Sequence, residues 1–175
     1  MIKIKKASSE DLQTIHDMAQ VVFRHTYRDI LSPEQMEYMM DMMYSMPNLY
    51  RQLEEGHQYY LAYDKESPCG YVSVQYDGTD PEGIEVFHLH KIYVMPDAQG
   101  KGVGLKLFRT VEDHVRREAA GVSARIELNV NKFNSAVDFY RHIGMRVLLE
   151  EDFPIGNGFY KTDYIMGLDL CCKKD

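Results

Sequence analysis

The chain has 175 residues, 45% of them hydrophobic and 27% charged, and its formal net charge is −7. That size suits one domain with a sizeable core, and the balance excludes an intrinsically disordered chain. The acidic charge argues against nucleic acid as a partner, because phosphate neutralisation wants a basic face, and it suits a cationic small substrate.

Residues 2–6 alternate Ile and Lys and read as a first strand. No apolar run follows that would make a signal peptide or a membrane span, so no membrane partner is expected. The cysteines Cys69, Cys171 and Cys172 form neither a metal spacing nor a disulfide framework, which makes a reducing cytoplasmic compartment the expectation. Cys171 and Cys172 belong to a short charged tail, residues 171–175, behind a single domain of residues 1–170.

Ser8 or Ser9 can cap a helix to about Phe23, with Leu12, Ile15, Ala19, Val22 and Phe23 on one face. Ser32-Pro33-Glu34 starts a second helix, whose Met36, Met39, Met40 and Met43 form an i, i+3, i+4, i+7 stripe. Such a stripe packs a core or lines an adaptable pocket wall. Residues 48–55 extend this helical region up to Gly56. The period then changes. Residues 58–63 and 70–76 read as strands joined by a turn, residues 77–81 as another turn, and residues 85–94 as a long strand. Residues 103–119 form a helix, 125–130 a strand, and 135–143 a helix capped by Asn134 and stopped by Gly144. Residues 145–151 and 160–170 are the last strands. The order β-α-α-β-β-β-α-β-α-β-β predicts an α/β fold, a mixed α+β sheet with helices on both faces.

The informative segment is Val94-Met95-Pro96-Asp97-Ala98-Gln99-Gly100-Lys101-Gly102-Val103-Gly104. A strand stops and a helix opens inside alternating glycines. Main-chain amides at a helix start are unpaired and partly positive, and glycines let an anion come close to them. The segment therefore reads as a phosphate site, with Lys101 adding charge at its rim. A dinucleotide fingerprint fails at Leu105 and a P-loop fails at Gly102. A plain glycine-rich turn is the bland alternative.

What the segment resembles is the acetyl-coenzyme A loop of the GNAT superfamily, Gln/Arg-x-x-Gly-x-Gly/Ala, here Gln99-Gly100-Lys101-Gly102-Val103-Gly104. The strand before it, residues 89–96, also resembles the family's fourth strand with its proline-containing exit. A second stretch, from Leu128-Asn129-Val130-Asn131 through Asn134-Ser135-Ala136 to Tyr140 and Gly144-Met145, is similar to the family's second coenzyme motif, with Met145 in place of the usual Phe. Together the two motifs cover roughly residues 84–146. The segments at residues 153–159 and 163–166 look like the ending of the diamine and polyamine acetyltransferase branch.

The resemblance implies a single-domain GNAT fold. It also implies an acetyl-coenzyme A-dependent N-acetyltransferase that works by direct attack in a ternary complex, with a small-molecule primary amine as acceptor. Main-chain amides of Ile92, Tyr93 and Val94 would pair with the pantetheine and face the thioester oxygen. Gln99, Gly100, Lys101, Gly102, Val103 and Gly104 would hold the diphosphate, and Asn131 and Asn134 would meet the coenzyme arm. Tyr140 would protonate the departing sulfur. Many relatives are homodimers, and that becomes the expected assembly.

For a base, strand alternation sets His88, His90, Ile92 and Val94 on one face. His88 stands where several family members carry a carboxylate, and imidazole titrates near neutral pH. Glu85 is a second candidate, and both histidines can instead be ordinary structural ones. No third ligand accompanies His88 and His90, and a calcium loop starting at Asp77 fails at Pro81 and His88, so no metal is expected. The alternatives in function are a protein or peptide N-terminal acetyltransferase, a non-catalytic acetyl-coenzyme A sensor, and an interaction module.

Overall fold

The structure is a computed structural model that describes residues 1–171; the remainder of the expected 171–175 tail, Cys172 included, lies outside the described residues. Its strands are β1 (Ile2–Lys6), β2 (Gln58–Asp64), β3 (Ser67–Thr79), β4 (Glu85–Val94), β5 (Ala124–Asn131), β6 (Arg146–Gly156) and β7 (Phe159–Leu170). Its helices are α1 (Leu12–Tyr27), α2 (Pro33–Tyr44), α3 (Met46–Glu54), α4 (Val103–Ala119) and α5 (Ala136–His142). The strands follow one another in the sheet as β1-β2-β3-β4-β5-β7-β6. β4 and β5 run parallel, and β1–β2, β2–β3, β5–β7 and β6–β7 run antiparallel, so the sheet is mixed as expected. Parallel neighbours need a crossover, and α4 supplies it between β4 and β5.

The chain forms two compact units. One is Met1–Gln75 with His90–Asp113. In it, Ser8 caps a short 3₁₀ turn through its hydroxyl and the Asp11 side chain, and α1 follows one turn longer than its apolar pattern predicts. Ser32 Oγ accepts from the Gln35 amide and starts α2 where expected. Met36, Met39 and Met40 of the methionine stripe are buried, while Met43 is only partly so. The segment read as an extension of α2 is a separate helix, so the order holds one more helix than expected. Ser45 closes α2 and caps α3 in extended geometry, accepting from the Asn48 amide, and Pro47 cannot continue the α2 ladder. The core of this unit stacks aromatics: Tyr71 lies 6.1 Å from Tyr44 and 5.7 Å from Tyr93, and Phe23 lies 4.6 Å from Tyr27.

The other unit is residues 76–89 with the chain from residue 114 onward. Here β5 alternates strictly: Ala124, Ile126, Leu128 and Val130 are buried, while Arg125, Glu127, Asn129 and Asn131 are half-exposed. β6 and β7 form a long hairpin through Asn157 and Gly158. β6 runs on to Gly156, beyond the expected end at residue 151. Residues 77–79, expected as a turn, prolong β3, and the turn falls at residues 80–84, where Asp80 Oδ1 accepts from the Glu82 and Ile84 amides at 2.9 Å each.

Gly70 is a packing constraint within the first unit. A Cβ there would sit 2.9 Å from the Tyr93 carbonyl oxygen and 3.2 Å from Leu107 Cδ1. Main chain cannot give way as a side-chain tip can. Gly70→Ala is expected to lower stability by roughly 1–3 kcal/mol, read as a fall in the denaturant midpoint at unchanged slope.

Candidate functional site

The first unit carries the glycine loop. β4 ends at Val94, a 3₁₀ turn follows over Pro96–Ala98, and α4 starts at Val103. Gly100 and Gly102 have φ of +76° and +78°, values that L side chains rarely adopt, and a Cβ on either would meet nothing within 4 Å. The loop backbone thus faces open space. The Lys106 amide bonds the Gly102 carbonyl, so the amides of Val103, Gly104 and Leu105 come ahead of the helical ladder. The Gln99 side chain donates to the Val94 carbonyl at 3.1 Å, bracing the loop against the strand end. Lys101 is exposed on the loop. These are the features an anion-binding helix start needs, so the loop residues fit a diphosphate.

On β4 the simple alternation expected for His88, His90, Ile92 and Val94 breaks down. Tyr71 and Gln75 stand four residues apart on β3, whose register to β2 is regular over Gly70–Val74, and alternation puts them on one face. Tyr93 packs on Tyr71, and His90 Nε2 lies 2.9 Å from Gln75 Oε1. Tyr93 and His90 stand three residues apart, yet meet the same face. The pleat therefore slips by one residue between them, as a bulge does. His90 also stacks on His57, with ring centroids 4.3 Å apart, so it is a packed histidine.

The second unit carries the other expected residues. Asn131 ends β5, and its Oδ1 accepts from the Phe133 amide at 3.0 Å. Asn134 Oδ1 accepts from the Ala136 amide at 2.9 Å in a turn just ahead of α5, while the residue in the cap position is Ser135, without a side-chain cap bond. Tyr140 is buried on α5, its ring 5.5 Å from Phe139, and its carbonyl accepts from the Met145 amide at 3.0 Å, closing the helix. His88 is half-buried. Burial holds its imidazole below the usual histidine range, with Lys161 acting in the same direction and Asp77 opposing. Burial thus favours the neutral form, the form a base needs. Among the described residues no group of three His, Cys, Asp or Glu side chains gathers to hold a metal ion, and no helix is long and apolar enough to cross a membrane.

The family model for the acetyltransferase (GNAT) domain matches residues 27–166. The chain belongs to the GNAT acetyltransferase family. Its enzyme class is therefore that of the acetyl-coenzyme A-dependent N-acetyltransferases. The GNAT fold is shared with the PaiA N-acetyltransferase from Thermoplasma acidophilum, solved in complex with coenzyme A, at a TM-score of 0.77 and 24% identity over 97% of this chain and 99% of that one. The ribosomal-protein-S18-alanine N-acetyltransferase from Escherichia coli matches at a TM-score of 0.70 and 17% identity, over 98% and 95% of the two chains. Arabidopsis thaliana Naa50, in complex with the bisubstrate analogue CoA-Ac-MVNAL, matches at 0.65 and 15% identity, over 97% and 99%. At these identities the likeness speaks for the fold alone.

One residue of this GNAT domain's fourth strand escaped the sequence reading. Lys91 is 3% exposed. Its Nζ donates to the Met43 carbonyl at 3.0 Å, to Gln52 Oε1 at 2.6 Å and to the Tyr59 hydroxyl, and it lies 4.6 Å from the centre of the Tyr44 ring. An ammonium has three donors, and each finds an acceptor. The side chain thereby ties β4 to the end of α2 and to α3. Nothing in the strand's sequence, which also holds Glu85, His88 and His90, signalled this, and a lone Lys usually marks a surface position.

Burial pushes the Lys91 amine down to about 7. The unfolded chain keeps its ordinary proton up to much higher pH, so between these values the unfolded state binds more protons. The contribution of Lys91 to stability then rises with pH above about 7 and is lost as pH falls through that value. Denaturant titrations between pH 7 and 9 are expected to show stability rising more steeply with pH in the wild type than in Lys91→Met. Equal slopes would mean that Lys91 stays charged in the fold.

Proposed function

We propose that this chain acetylates a small primary amine, a diamine or polyamine or one of similar charge, using acetyl-coenzyme A, with residues 1–170 acting as one catalytic domain in a reducing cytoplasm. The observation that carries the reading is the open main chain at Gly100 and Gly102 ahead of α4, where positive φ and empty space above the backbone suit a diphosphate. Family membership supports the co-substrate, and the net charge of −7 favours a cationic acceptor. The free thiols of Cys69 and Cys171 agree with a reducing compartment.

Bound acetyl-coenzyme A supplies an activated acyl group as a thioester. The chain's own work is then placement, charge stabilisation and proton handling. Main-chain amides of Ile92, Tyr93 and Val94 are proposed to pair with the pantetheine, one of them facing the thioester carbonyl oxygen. One such preorganised donor is typically worth about 3 kcal/mol in the transition state. The amine must attack neutral, and His88, whose neutral form burial favours, is the proposed acceptor of its proton, directly or through water. As nitrogen joins the acyl carbon and the carbon–sulfur bond breaks, the Tyr140 hydroxyl donates its proton to the departing sulfur. Asn131 and Asn134 are proposed on the coenzyme arm.

A thiol-release assay across monoamines, diamines and a peptide with a free N-terminus tests the reading. Turnover on the diamines supports it, turnover on the peptide alone replaces the acceptor, and coenzyme binding without any turnover makes the chain a sensor. Tyr140→Phe is expected to lower kcat about 10²-fold at nearly unchanged coenzyme affinity. His88→Ala with an unchanged pH profile would remove His88 from the mechanism.

A further inference from the structure

Among the described residues, Asp163 Oδ1 is the only buried side-chain nitrogen or oxygen without a hydrogen-bond partner. The residue is 1% exposed. Its other oxygen is used: Oδ2 accepts from Asn129 Nδ2 at 3.4 Å and pairs with Lys161 Nζ at 3.2 Å. A carboxylate accepts at both oxygens, and a buried one left half-bonded is rare enough to need a reason.

The surroundings say what kind of partner is missing. Asp163 stands opposite Asn131 on β5 and opposite Glu151 on β6, and directly paired residues point to the same side of a sheet. The helices of this unit meet the other side: the Arg141 guanidinium lies 5.9 Å over the ring of Tyr164, and His114 packs 6.3 Å from Phe87. Asp163 thus belongs to the polar side, in the same unit as Asn134 and Tyr140. Asp163 and Glu151 set two carboxylates against the one ammonium of Lys161, which leaves a negative charge. Lys161, with its side chain 32% exposed, links the buried carboxylate to the surface.

We infer that Asp163 holds a positively charged nitrogen of the acceptor, and that this nitrogen is not the one acetylated. A carboxylate in contact with an amine favours its protonated form, and a protonated amine has no lone pair with which to attack. The acceptor therefore carries at least two amines, one held as an ammonium at Asp163 Oδ1 and one left to react. This deepens the function proposed above and rests on it for the reaction, though not for the binding.

Steady-state kinetics on an α,ω-diamine and on a monoamine of matching length with a methyl end decide the matter. Asp163→Asn, which keeps the shape and an oxygen for Asn129, is expected to raise KM for the diamine about tenfold or more, with kcat and the monoamine kinetics little changed. Lys161→Met removes the competing ammonium and is expected to lower KM for the diamine. Calorimetry of the diamine binding to the full chain in the presence of coenzyme A gives the same comparison without turnover. If no amine is turned over, the proposed activity falls while the calorimetry still decides Asp163. If diamine and monoamine respond equally to Asp163→Asn, or neither responds, Asp163 is a structural carboxylate and the inference is wrong.

Discussion

Exposed main chain at a strand-to-helix junction is the constraint on which the rest of the molecule depends. The chain leaves β4 at Val94 and must enter α4 at Val103 without covering the amides that open the helix. Gly100 and Gly102 make this feasible because their positive φ would strain any L side chain, and because a side chain there would fill the space above the backbone. The Gln99 amide fixes the junction by bonding the last carbonyl of the strand. Gly70 allows β3 to lie close under Tyr93, just before that exit. Each of these positions serves the backbone, and none supplies a reactive group.

The strand that feeds the junction is held by a polar contact buried in an apolar setting. Taking an ammonium out of water costs several kcal/mol even after relaxation, and only complete hydrogen bonding offsets it. Lys91 meets that condition with a main-chain carbonyl of Met43, the amide oxygen of Gln52 and the phenol of Tyr59. The neighbouring phenols of Tyr44 and Tyr71 bond each other at 2.7 Å, and burial pushes both well above the usual phenol range, so they remain neutral donors and acceptors. The result is a network in which α2, α3, β2 and β4 have one mutually satisfied arrangement. A half-satisfied version would be worse than a purely apolar core, which ties the placement of β4 to that of the two helices.

Much of this was legible in the sequence wherever a local rule decides the structure. Ser8 and Ser32 cap where their side chains can reach an orphan amide, and β4 and α4 begin and end at the expected residues. The glycine loop was legible because its chemistry is main-chain chemistry, written in residues that lack side chains. What escaped depends on distant partners. Ser45 reads as helical until Pro47 forces a second start, and residues 77–79 look like a turn until the adjoining β3 ladder carries them on. The slip between His90 and Tyr93 is invisible to a two-residue period, since nothing in the side chains announces it. The burial of Lys91 and Asp163 has no local signal, and only their neighbours, Gln52 and Tyr59 for one and Asn129 and Lys161 for the other, reveal it.

Calorimetric titration of acetyl-coenzyme A into the wild-type chain and into Gly102→Val tests the main-chain cradle most directly. The account predicts saturable binding of one equivalent by the wild type, and none by a folded Gly102→Val whose side chain occupies the space over the loop. Absence of heat in the wild type at millimolar ligand, or equal affinity in both proteins, would contradict it.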